Sequence, residues 1–115
     1  MADIAEVTDA TFGDMVFKSA TPVLVEFWAA FAAQCGLAEP LLLAAAGELG
    51  AAVRLMRLDV ERSPMAAVVY GVRRVPLLIL FRQGEELDRW SGALPAEEIV
   101  ERVRAACGGA AAASG

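Results

Sequence analysis

Histidine is absent from this chain, and lysine occurs once, at Lys18. The two cysteines, Cys35 and Cys107, stand far apart in no paired spacing. A zinc site and a disulfide framework are excluded on those grounds, and no metal or cofactor is expected. Net charge is −5 and the arginines are scattered, so no basic face of the kind nucleic acid requires is visible. Long hydrophobic runs are missing too. The apolar stretches, such as 41–46 and 75–81, fall far short of a bilayer's width. The start, Met1-Ala2-Asp3-Ile4, is acidic with no apolar run behind it, so no signal peptide is expected. These absences point to a soluble, cytoplasmic protein. Scarce lysine beside abundant alanine, arginine and glycine fits a GC-rich bacterial genome.

The 115 residues suit one complete domain. Hydrophobic residues reach 57%, but much of that share is alanine, which adds helix propensity more than buried area. A short strand is expected at 4–7, followed by Thr8-Asp9 as helix caps and a first helix through Phe12, Met15 and Val16 that ends near residues 18–20. Val23–Trp28 is a compact apolar run with one charge, Glu26, in its middle, as in a strand buried on both faces. A helix is expected from about 33 to 49, with Leu37, Leu41, Leu42 and Ala45 on one side, a kink at Pro40 and a cap at Gly50. Residues 53–60 form the next strand, and Ser63-Pro64 starts a helix running to Tyr70-Gly71. A strand at 77–81 turns through Gln83-Gly84 into 86–90, giving an antiparallel hairpin closed by Gly92. An amphipathic helix over 95–107 ends the domain, and 108–115 is a low-complexity tail expected to bury nothing and to be disordered. This order predicts an α/β fold for 1–107, a central mixed sheet of about five strands flanked by four helices.

Four segments resemble the thioredoxin family: Val23-Leu24-Val25-Glu26-Phe27-Trp28-Ala29, Pro40 five residues after Cys35, Tyr70-Gly71-Val72-Arg73-Arg74-Val75-Pro76-Leu77, and Phe81-Arg82-Gln83-Gly84-Glu85 with Ser91-Gly92-Ala93. The resemblance implies a thioredoxin fold and a protein-disulfide reductase ancestry. It also exposes a departure. Where the family carries Trp-Cys-Gly-Pro-Cys, this chain reads Phe31-Ala32-Ala33-Gln34-Cys35. The first cysteine of that motif is the exposed nucleophile, whose thiolate is favoured by a helix N-terminus. Ala32 stands in its place and has no sulfur. Cys35 holds the position of the resolving cysteine, which acts only after a mixed disulfide has formed.

The resemblance assigns further residues. Glu26 takes the place of the family's buried, proton-relaying aspartate, and burial should raise its pKa. Arg57, where the family has lysine, is its expected ion-pair partner. Glu26 is equally readable as inherited architecture. Val75 and Pro76 match the cis-proline loop, whose backbone holds an extended substrate segment. Structural retention explains that match too. Phe31, Val75, Pro76, Gly92 and Ala93 are expected to form an exposed apolar groove. Cys35 is either a lone redox thiol or a shielded small hydrophobe. Trp28 and Trp90 are expected to pack, and Cys107 to lie out of reach of Cys35.

Three functional readings follow. The chain is a redox-inactive relative that binds a protein partner through the old substrate groove as a monomer; or a disulfide oxidoreductase with its first cysteine replaced; or a lone-thiol sensor using Cys35.

Overall fold

The computed structural model describes residues 4–108. Five strands form one mixed sheet: β1 (Ala5–Val7), β2 (Val23–Trp28), β3 (Arg54–Asp59), β4 (Leu77–Arg82) and β5 (Glu85–Ser91), in the order β1-β3-β2-β4-β5. β3 pairs in parallel with both β1 and β2, whereas β4 runs antiparallel to β2 and β5 antiparallel to β4. Three α-helices cover the sheet, α1 (Ala33–Leu49), α2 (Pro64–Val69) and α3 (Ala96–Val103). A π-helical turn over Gly13–Phe17 takes the place of a regular first helix.

Alternation along the strands divides the core in two. Val23, Val25 and Phe27 of β2 face one layer, packing with Phe12 just before the π-turn, Val16 within it and Ala66 of α2. Leu24 of β2, with Leu78 and Leu80 of β4, faces the other layer, under Leu42 of α1 and Ile99 of α3. This explains why β2 and β4 are near-continuous apolar runs: both faces are covered.

The buried positions on α1 are Cys35, Ala38, Leu42, Ala45 and Leu49. Leu37, expected inward, is 66% exposed. α1 is apolar on all sides, so the sequence pattern does not single out the stripe that packs. The stretch Ala33–Ala52 even reaches the length and mean hydropathy (1.2) of a membrane span. It packs one face on the sheet, with Ala38, Leu42 and Ala45 almost fully buried. α1 continues through Pro40 to Gly50, whose N–H donates to the Ala46 carbonyl at φ +57, a conformation suited to glycine.

The expected caps take other partners. Asp9 does not cap its own turn; its carboxylate accepts from the N–H groups of Met65 and Ala66 at 3.1 and 2.8 Å, capping α2. Ser63, expected to cap α2, instead accepts from the Asp9 N–H at 3.1 Å. The pair stitches the loop after β1 to the start of α2. Gln83 and Gly84 both have positive φ (51 and 85), the combination that suits a two-residue hairpin. At the far end α3 gives way after Val103 to a π-turn over Arg104–Gly108, so the expected boundary at 107 falls inside that turn. The rest of the expected tail, and the start at Met1 to Asp3, lie outside the described residues.

Candidate functional site

The pairing scheme brings the site together at one end of the sheet. Phe27 near the end of β2 sits opposite Leu77 at the start of β4, and Leu77 sits opposite Ser91 at the end of β5. The loop from β2 to α1, the loop before β4 and the residues after β5 therefore meet. Between them and α2 lies a groove of about 740 Å³. Phe31 and Ala32 form one wall, Val68 of α2 another, and Arg73 to Pro76 with Gly92 the third. The Val75-Pro76 peptide is cis. The Gly92 N–H donates to the Pro76 carbonyl at 2.9 Å, joining two walls. Phe31 is 74% exposed and Val75 half-buried. Four of the five expected groove residues line this space; Ala93 does not.

Ala32 is the N-cap residue of α1, and its side chain offers the free N–H groups of the first turn no hydrogen bond. Cys35 lies within that first turn, its N–H donating to the Ala32 carbonyl at 3.0 Å, and is 4% exposed. Burial pushes its thiol pKa up; a backbone hydrogen bond from Ala29 and the charge of Arg57 act against this, and the nearby Glu26 adds to it. Cys35 and Cys107 are both free. Cys107 is partly buried in the turn after α3, where burial likewise raises its pKa.

Behind Cys35 is a small cavity of about 240 Å³, lined by Trp28, Glu39 and Arg57 among others. Glu26 is fully buried on the α1 side of β2, and neither carboxylate oxygen has a hydrogen-bond partner among the described residues. Burial raises its pKa to about 7, with Arg57 pulling the other way and Glu39 and Glu6 reinforcing the rise. The expected ion pair with Arg57 is not formed. Arg57 reaches Glu39 on α1 at 3.3 Å and lays its guanidinium over the Trp28 ring, 3.9 Å from the centroid. Trp28 is thus a partly buried stacking platform rather than a pure core residue. Trp90 is buried, with Arg102 5.0 Å from its ring centroid.

A family model described as Thioredoxin matches residues 3–105. The chain belongs to the thioredoxin family. A thioredoxin of Porphyra purpurea is 35% identical over 92 residues, covering 80% of this chain and 86% of the relative. Thioredoxin 1 of Synechococcus elongatus is 36% identical over 95 residues, covering 83% and 89%. A thioredoxin of Rickettsia bellii is 31% identical over 97 residues, covering 84% and 92%.

Sequence reasoning missed two features of this thioredoxin-family site. Glu39, the actual partner of Arg57, lies four residues after Cys35 on α1 and so shares its helix face, a spacing that could have pointed to it. The contribution of α2 to the groove, through Val68, carries no local signal; it arises from tertiary packing.

Proposed function

We propose that this chain is a thioredoxin-family protein that does not run dithiol–disulfide exchange and instead holds an extended segment of a protein partner in its groove, as a monomer. The observation that carries the proposal is the residue at the mouth of α1. Exchange needs a thiolate at the exposed helix start, where unpaired N–H groups and the macrodipole favour negative charge. Ala32 stands there without sulfur. Cys35, one turn in, is shielded from solvent and its thiol is pushed toward the unreactive protonated form. The binding half of the proposal is supported by the open groove, its exposed Phe31, and a loop before Pro76 whose main chain at 73–75 makes no hydrogen bond among the described residues.

A cysteine-free peptide of extended, apolar sequence tests the binding half without any thiol chemistry of its own. Fluorescence anisotropy should show binding that Phe31→Ala weakens by at least about fivefold, as truncation of an exposed aromatic anchor does. Cys35→Ser should leave that binding in place. Loss of all binding on Cys35→Ser would refute the proposal in favour of a thiol-dependent role.

A further inference from the structure

The groove is a place where the charge balance of the chain inverts. Fifteen acidic residues outnumber ten basic ones overall. Yet among the described residues lining the groove there is no aspartate or glutamate, while Arg73 and Arg74 both face it. Both arginines are exposed, and neither has a carboxylate partner among the described residues. Their situation contrasts with Arg89 on the adjoining β5, which is held by both oxygens of Glu86 at 2.6 and 2.7 Å. The backbone beside them is equally unengaged. Val72 donates its N–H to Ala67, and the Pro76 carbonyl accepts from Gly92, but no hydrogen bond among the described residues involves the main chain of Arg73, Arg74 or Val75.

We propose that the groove selects extended protein segments that carry aspartate or glutamate next to an apolar side chain. This inference rests on the groove reading above and adds the chemical class of the partner. The apolar side chain seats between Phe31, Val68 and Val75. The segment's backbone pairs with the free main chain at 73–75, as an added strand pairs with a sheet edge. Its carboxylates meet Arg73 and Arg74, whose planar guanidinium groups match a carboxylate two bonds at a time. Charges at an exposed rim act through partner choice, association rate and salt dependence more than through bulk affinity. A basic segment meets two uncompensated positive charges and binds more weakly.

Three synthetic cysteine-free peptides with one apolar centre test this, flanked respectively by Glu-Asp, Ser-Gln or Lys-Arg. Anisotropy titrations should rank them acidic, neutral, basic, with about tenfold between the ends at low salt. The gap should shrink severalfold at high salt, as charges at a rim are screened. In the doubly substituted Arg73→Gln, Arg74→Gln protein, shown folded by circular dichroism, the three affinities should converge. Equal binding of all three peptides to the unaltered chain overturns the acidic preference while leaving the groove reading standing. Absence of binding by every peptide overturns that reading and this inference with it. A preference that survives the double substitution overturns the assignment to Arg73 and Arg74. Sedimentation showing a dimer that the double substitution dissociates would make the occupant a second copy of the chain, and overturns it likewise.

Discussion

Glu26 and Arg57 stand side by side in register on neighbouring parallel strands, yet they form no ion pair: Arg57 gives its guanidinium to Glu39 at 3.3 Å. Glu26 is left fully buried with both oxygens unpartnered among the described residues. A buried carboxylate in that position is stable mainly as the neutral acid. That arrangement makes the stability of the fold depend on the protonation of Glu26.

The folded-state pKa of Glu26, about 7, lies above its ordinary value of 4.5. The folded chain therefore binds more protons than the unfolded chain between those values. Its stability from this group is intact below pH 4.5 and declines as pH rises through 7. Glu26→Gln, which mimics the neutral acid, should flatten that decline and exceed the unaltered protein at pH 8 by on the order of 3 kcal/mol. Urea unfolding at pH 5 and pH 8 measures both. Parallel pH profiles for the two proteins would refute the buried-acid account.

Cys35 is 4% exposed with its thiol pKa raised by burial. Iodoacetamide should label it slowly in the folded protein, with a pH midpoint above the roughly 8.5 of a free thiol. Labelling in a Cys107→Ser background, followed by intact mass, isolates the site. A midpoint below 7 would reveal an activated thiolate and revive the lone-thiol sensor.

The cross-element cap predicts a local cost far from the groove. Asp9→Ala removes the acceptor for the Met65 and Ala66 N–H groups. Loss of such a cap costs about 1 kcal/mol, up to about 2. A shift in urea midpoint with an unchanged slope checks it. No shift would mean that α2 does not depend on Asp9.

Leu37 and Leu42 both lie on α1, but Leu42 is 1% exposed and Leu37 66%. Leu42→Ala should cost roughly 2–5 kcal/mol, and Leu37→Ala should stay within about 0.5 kcal/mol. Equal effects on thermal or urea unfolding would contradict the packing of α1.

Elements whose residues are committed on every side were legible in the sequence. Val23–Trp28 has its expected bounds because burial on both faces leaves an apolar run that only a central strand explains. α1 also has its expected bounds, set by the break at Ala32 and by Gly50. What could not be read depends on which of several equivalent partners a residue finds in space. Leu37 and Leu42 are indistinguishable on a helix that is apolar all round. Asp9 and Ser63 are both good caps, and only the approach of the β1 loop to α2 lets Asp9 cap that helix in place of Ser63. Arg57 could reach either acid, and its choice of Glu39 over Glu26 follows from where α1 crosses the sheet. Likewise, Phe31, Val75, Pro76 and Gly92 meet in one groove with Val68, which no motif marked, while Ala93 falls outside it.

The most direct test is reduction of insulin disulfides, with dithiothreitol as the electron source and the unaltered chain as the only protein added. Precipitation of the reduced insulin chains should proceed no faster than with dithiothreitol alone, because no sulfur stands at Ala32 to strike first. Turnover by the unaltered chain at the rate of an active thioredoxin assayed alongside it would contradict the account.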